Sequence, residues 1–346
     1  GRGGSKIGGE CIDAQLTTEG QTVTLVYVDA TKGWINTQTD STVVGSTHVA
    51  ATGGTVTTSG DYKIHTFNSD ATFQVTGAGT PSNNKISYVV VAGGGSTAGW
   101  AGGGGGAGGF REGKCSSDPY ADSPLDSGTA LTASIASFPV TVGAGGTGKP
   151  YPERNSTTKG SNSVFSTITS AGGGVGAPNS TFPGHDCGAS SGDGGSGGGG
   201  RGDPSGNTGG SGNTPPVSPP QGNNGGTGGQ GPAGYFGGGG GGASTVGNNW
   251  TGPNDAGPGG NGVATSITGS PVTRAGGGSG GNVATGAGTG GPGGGGGSAP
   301  GGATAGTANT GGGAGAAYAP TPTGTSTGAG ANGGSGVVIL RYKYQN

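Results

Sequence analysis

The chain contains no methionine, three cysteines, three histidines and charged residues at only 9% of its 346 positions. Each shortage excludes something. Cys11, Cys115 and Cys187 are too few and too widely spaced for a disulfide framework or a zinc signature, and allow at most one bridge within a chain. With 14 Lys and Arg against 16 Asp and Glu, a net charge of −2 and a pI near 5.9, there is no basic stripe for nucleic acid and no polybasic cluster for anionic lipid. The longest aliphatic runs, Val89–Ala92 and Val337–Leu340, are four residues long, far short of the ~20 an α-helix needs to span a bilayer. A hydrophobic fraction of 27% and an aromatic fraction of 5% cannot build a conventional core of matching size. The lack of methionine and the opening Gly1-Arg2 lead us to expect a translation start, and an attachment region, upstream.

What the chain has instead is glycine, 96 residues of it, with only 13 in residues 1–92. This shift in composition near Ala92 divides the sequence into three expected units: a small β module over 1–48, a short-strand β region over 49–92, and a glycine-rich part over 93–346. Within the last, Gly192–Gly200 reads GDGGSGGGG and Thr289–Ser298 reads TGGPGGGGGS. Asp193 and Ser196 stand three apart, as do Thr227, Gln230 and Ala233, and Thr289, Pro292 and Ser298 share one threefold register. A left-handed extended helix has three residues per turn, so such intruders point one way and two bare faces remain for neighbouring backbones. Collagen reverses that ratio, with glycine at one position in three. The register predicts polyglycine II helices packed side by side, each N–H and C=O bonding to a neighbour. A flexible linker is the competing reading of such tracts. Against it, no charged residue lies between Asp203 and Asp255 or between Arg274 and Arg341, whereas disordered chains stay solvated through charge.

No stretch has a helical period. Residues 5–35 alternate apolar with polar or Thr positions around Val23, Leu25 and Tyr27 and turn at Asp29–Gly33; residues 49–76 give short strands broken at Gly53-Gly54 and Gly60-Asp61. A strand followed by AGGG occurs three times, in KISYVVVAGGG, SVFSTITSAGGG and VATSITGSPVTRAGGG, which implies a repeated unit, and GSGVVILRYKY ends the chain. The fold class expected is mainly β and irregular, with aliphatic strands clasping the base of a glycine bundle. Between the glycine tracts lie five segments, 114–127, 149–159, 178–190, 213–223 and 243–256, that together hold most of the Pro and much of the charge and are read as surface loops.

Several constellations imitate chemistry. GAGGTGKP (Gly143–Pro150) follows a strand as a phosphate loop does, but Pro150 stands where a Mg²⁺-binding hydroxyl is needed and no helix follows. His185-Asp186-Cys187 are adjacent and do not converge on one metal. Arg201-Gly202-Asp203 forms an RGD tripeptide inside a glycine tract, where chance accounts for it, and Asn155, Asn179 and Asn249 open glycosylation sequons that matter only in a secretory compartment. Glycan cleavage would need two carboxylates about 5 to 10 Å apart, with only Asp118, Asp122, Asp126 and Glu153 to supply them. Neither an enzyme nor a cofactor or metal site is expected.

The set ISYVVVAGGG, GGGGGAGGFREG, FPVTVGAGGTG, SNSVFSTITSAGGG, SPVTRAGGG and GSGVVILRY resembles the glycine-rich domain of phage tail fibre and related virion proteins over about residues 50–344. Residues 1–46 resemble a small β module of phage fibres, with GGSKIGG where NGSKIGG is usual. The resemblance implies a stiff glycine bundle whose loops meet a host-surface glycan or outer-membrane protein, a location on the virion surface, attachment to other fibre or baseplate proteins through the N-terminal region, and a homotrimer. Trp100 and Phe110 are expected to pack on glycine. Tyr120, Tyr151, Phe182, His185 and Trp250 are the receptor-contact candidates, because loops on a rigid frame vary freely and aromatic rings offer large area at low entropic cost. A structural protein of an extracellular filament is the alternative; the five loops differ in length and content, which favours recognition.

Overall fold

A computed structural model describes residues 6–7, 23–37, 48–98, 102–149, 157–178, 192–204, 206–232, 234–252, 255–282, 288–299, 302–317 and 329–345. Among these every regular element is a β-strand, as the alternation of apolar residues with Thr and Ser demands. Strands β1 (Leu25–Asp29) and β2 (Gly33–Asn36) form a hairpin. Its turn is fixed by Asp29, whose Oδ1 accepts the N–H groups of Thr31 and Lys32 at 2.8 and 2.6 Å. Gly33 leaves that turn at φ +70°, where a side chain would be strained.

Next come β3 (Val49–Thr52), β4 (Thr55–Ser59), β5 (Tyr62–Phe67), β6 (Ala71–Ala78) and β7 (Lys85–Val91), broken at the two expected glycine sites. Beyond the first glycine tract lie β8 (Phe110–Gly113), β9 (Leu131–Thr132), β10 (Ala136–Thr141), β11 (Ser163–Phe165) and β12 (Ile168–Ser170). Three small hairpins interrupt the later tracts: β13 (Gly229–Gly231) with β14 (Gly234–Phe236), β15 (Val263–Thr265) with β16 (Val272–Arg274), and β17 (Ser298–Ala299) with β18 (Gly302–Ala303). The last strand is β19 (Val337–Lys343).

Two larger antiparallel sheets carry the apolar residues, one in the order β12-β11-β10-β6-β3, the other β4-β5-β19-β7-β8 with β9 added to β7. Strand β19 lies between β5 and β7, so that Leu340 faces His65 on one side and Tyr88 on the other. Ile86, Tyr88, Val90, Val338, Leu340 and Tyr342 pack with Phe67, Phe73, Val75, Val140 and Phe165 of both sheets. Val89, Val91, Val337 and Ile339 point the opposite way and join Ile64, Phe110 and Ile267. Burial on both faces is why β7 and β19 read as unbroken apolar runs.

This pairing corrects the division at Ala92. Strands β5 and β7 pair with β19, and β6 pairs with β10, so residues 49–92 share their sheets and core with the strands beyond them. The strand-AGGG units are also not alike: the first is one strand, β7, whereas the other two are hairpins, β11–β12 and β15–β16. A tight turn at Ser166 (φ +53°) splits what reads as a single strand.

The glycine tracts bond to one another with a period of three. Gly104 and Ala107 donate to Gly238 and Gly241 of one tract, Gly105 and Gly108 to Ala314 and Gly311 of a second, and Gly106 and Gly109 to Gly174 and Ala171 of a third, all at 2.8–3.0 Å. Backbone groups that would otherwise be buried unpaired are satisfied sideways. No room is left for side chains: a Cβ on Gly104 would lie 2.1 Å from the Gly278 carbonyl oxygen, and one on Gly105 would lie 2.2 Å from that of Gly95.

The outward register of the intruders holds only in part. Asp193, Thr289 and Pro292 are exposed, but Ser196 is fully buried and Ser298 is 5% exposed. Neighbouring tracts enclose Ser196, and between Thr289 and Ser298 the chain turns over Pro292–Gly294, with Gly293 and Gly294 at φ +101° and +96°. That reversal destroys a common face.

Candidate functional site

Segment 114–127 is a surface strap whose Asp118, Tyr120 and Ser123 are buried while Ser116, Ser117, Pro119, Ala121, Asp122 and Pro124 are exposed, and that burial corrects the reading of Tyr120 as a receptor contact. Tyr120 is 6% exposed, and its hydroxyl donates to Glu112 Oε1 at 3.1 Å. Glu112, on β8 and 1% exposed, also accepts Thr265 Oγ1–H at 2.6 Å and Ser123 N–H at 3.0 Å. Burial raises the pKa of the Glu112 carboxyl, and the Ser123, Thr265 and Tyr120 donors pull it back. Burial likewise raises the Tyr120 phenol, as does the Glu112 charge. A receptor has no access to Tyr120, because its ring belongs to the core with Ile64, Phe110 and Ile267.

One strap residue reaches the last strand. Asp118 accepts from Arg341 Nε at 2.9 Å and from Ser87 Oγ at 3.0 Å. The guanidinium also donates to the Ile267 carbonyl and lies over the rings of Tyr62 and Tyr120, 4.5 and 5.4 Å from their centroids. Burial raises Asp118 above the usual carboxylate range, opposed by Arg341. Asp122 pairs with Lys114 Nζ at 2.8 Å, and Asp126 accepts the Lys114 N–H. Each of these three carboxylates is thus held by a partner within the fold. Glu153 lies outside the described residues.

Trp250 is the one candidate that is both described and partly open to solvent. Its ring stacks on the buried Phe236 at 5.9 Å and 14°, over Gly229, where a Cβ would meet the indole Nε1 at 2.1 Å. Tyr151, Phe182 and His185, with Asp186, Cys187 and Trp100, lie outside the described residues. Phe110 is buried in the core with Ile64, Val91 and Ile339.

The decoys are resolved by their hydrogen bonds. In Gly143–Pro150, Gly146 N–H donates to the Gly94 carbonyl and Gly148 N–H to Asn332 Oδ1, so these amides serve the scaffold. Arg201 and Asp203 pair with each other at 3.1 Å, folding the tripeptide onto itself. Among the described residues no group of His, Cys, Asp and Glu gathers to hold a metal, and no helix is long and apolar enough to cross a membrane.

The sequence reading missed the Asp118–Arg341 pair and the Phe236–Trp250 stack. A signal for the first was the single arginine interrupting the apolar run VVILRY; Phe236 carried none.

Residues 68–343 match the glycine-rich domain at the level of the family. The chain belongs to the glycine-rich domain family. The matched span begins at the turn before β6 and ends on β19, so it takes in the glycine tracts and every strand of the two larger sheets except β3, β4 and β5. No curated protein and no solved structure matches the chain.

Proposed function

We propose that this chain is a bacteriophage virion adhesin, in which a polyglycine II bundle holds recognition loops rigidly against a bacterial surface. The observation that carries the reading is the threefold lateral bonding, in which successive N–H groups of one tract donate to three different tracts. Such a lattice has no flexible direction, and loops leaving it can change without disturbing it. The segments 149–159, 178–190, 213–223 and 243–256 differ in length and content, with 247–250 of the last bonded alongside tract 221–228; such diversity suits recognition rather than a repeating filament. The resemblance of the junction phrases to phage fibre domains supports the same reading. Its partner is a host glycan or outer-membrane protein, with no catalytic step. The receptor-contact residues are Tyr151, Phe182, His185 and Trp250; Tyr120 is withdrawn because it is buried.

Self-association belongs to this reading. Among the described residues, five of the eight exposed large hydrophobic ones, Val26, Tyr27, Val28, Trp34 and Ile35, lie on the β1–β2 hairpin. Val26 pairs with Ile35 and Tyr27 with Trp34 on alternate faces, so both faces of a two-stranded ribbon are apolar. Copies of the hairpin packed together, as a trimer, cover both.

Imaging of intact phage particles with a gold-labelled antibody to this chain tests the assignment. Label at fibre tips or elsewhere on the particle surface is expected. Label on bacterial surface filaments, with bare particles, overturns it in favour of a cell-surface structural protein.

A further inference from the structure

Tract 221–228 and segment 247–250 run side by side: Gly247 N–H donates to the Asn224 carbonyl at 2.9 Å and, three residues on, Trp250 N–H donates to that of Thr227 at 3.1 Å. The scaffold also orients two exposed side chains on this pair. Asn224 Oδ1 accepts Gly212 N–H at 2.8 Å, and Asn249 Oδ1 accepts Thr227 N–H at 2.7 Å. In each carboxamide the oxygen is tied to backbone and the NH₂ donors are turned away from it. Beside them stands the half-buried Trp250, its inner face on Phe236 and its edge over Gly229. A ring held this way presents its outer face to solvent as a fixed platform.

We propose that this patch binds a neutral oligosaccharide, the C–H face of one sugar stacking on Trp250 and sugar hydroxyls accepting hydrogen bonds from the amides of Asn249 and Asn224. The proposal rests on the adhesin reading and gives it a ligand class and a site. Charge selects the class. The patch itself contributes no charged side chain; Arg201, whose carbonyl lies against Gly228, is paired with Asp203 at 3.1 Å, and the exposed Asp193 accepts the N–H of Ser211 beside Gly212, so the charge around the patch disfavours an acidic peptide, a phosphate headgroup or a nucleic acid. A protein partner is anchored through a desolvated pocket, whereas one flat ring flanked by oriented amides suits a sugar. Asn224 and Trp250 stand one period of three apart along the tracts, about 9 Å at about 3.1 Å per residue, so the site takes more than one sugar unit.

The test titrates the full chain with glucan, mannan and galactan oligosaccharides and with acidic alginate oligosaccharides, read by tryptophan fluorescence and calorimetry. At least one neutral oligosaccharide binds, more tightly than its monosaccharide, and alginate does not. Asn224→Asp keeps the acceptor for Gly212 N–H while removing the outward donors; it weakens binding at least tenfold with an unchanged thermal midpoint. Trp250→Ala abolishes binding, and Ile135→Ser, at an exposed residue outside the patch, leaves it intact. Failure of every neutral probe, or binding that N224D and W250A both leave unaltered, overturns the proposal. The adhesin reading fails separately. Adsorption to bacteria that survives periodate oxidation of surface sugars but not protease treatment overturns the glycan site alone, whereas adsorption to no bacterium in a broad panel overturns adhesion itself.

Discussion

Arg341 on the last strand is bonded at 2.9 Å to Asp118, which precedes it by 223 residues, and both side chains are almost wholly buried. The pair joins the strap over residues 114–127 to β19, which lies between β5 and β7. Removing one partner leaves a buried charge unpaired, a loss of about 3–5 kcal/mol. Asp118→Ala is therefore expected to lower stability by that order, and Asp118→Asn, whose one carbonyl oxygen keeps the acceptor for Arg341 but whose NH₂ replaces the oxygen that accepts from Ser87, by less. Chemical denaturation of the two variants checks the order; equal stability of D118A and the parent chain contradicts it.

The glycine tracts make a steric prediction. Gly104→Val places a Cβ 2.1 Å from the Gly278 carbonyl oxygen, and Gly296→Val places one 2.1 Å from that of Thr304. Overpacking costs about 1–3 kcal/mol, and each lateral hydrogen bond lost adds about 1 kcal/mol. Gly302→Ala, where nothing lies within 4 Å of the added carbon, is the control. Thermal midpoints should fall sharply for the two valine variants and stay within a degree or two for the control.

His65 makes stability depend on pH. The ring is fully buried, with Nδ1 2.6 Å from the Gly53 carbonyl and Nε2 2.9 Å from the Tyr342 hydroxyl; Phe73 packs edge-on and Lys63 is the nearby charge. Burial lowers its pKa below 6.5, opposed by the Gly53 carbonyl and aided by Lys63. The unfolded chain thus takes up the proton first, so this contribution is complete above pH 6.5 and is lost as pH falls below it, by up to about 1.4 kcal/mol per pH unit. Comparing the parent chain with His65→Gln cancels the opposite contribution of the raised carboxyls of Glu112 and Asp118. The difference in stability should shrink from pH 7 to pH 5; a constant difference contradicts the assignment.

The apolar hairpin predicts an oligomer. Tyr27 and Trp34 make an edge-to-face pair at 5.5 Å while 48% and 38% exposed. Light scattering of the whole chain should give a trimer, and Tyr27→Ser with Trp34→Ser should give a monomer. A monomeric parent chain counts against self-association.

The strands were legible where side-chain alternation or unbroken apolar runs marked them, as in β5, β7 and β19, and Gly53-Gly54 and Gly60-Asp61 named their own turns. Hairpin β11–β12 was not, because Ser166 turns the chain without the glycine that usually announces a turn, and β15–β16 was read through as one strand although Gly269, at φ +99°, marks its turn. The period of three was visible in the tracts, but not which tract bonds to which, since glycine carries no side chain to record its neighbour. The same silence hid the site. Trp250 stood out by its size, whereas its setting on Phe236 and Gly229 depends on a hairpin of β13 and β14 whose glycines look like the rest of their tract.

Adsorption of loop-exchanged chains tests the central claim most directly. Residues 149–159 and 178–190 are replaced with Ser/Gly segments of equal length, and binding of labelled chain to the bacterium it adsorbs to is measured beside a thermal melt. The account predicts an unchanged melting midpoint and abolished adsorption, because the bonded tracts hold the fold while the loops make the contact. Unchanged adsorption by a folded, loop-exchanged chain would contradict it.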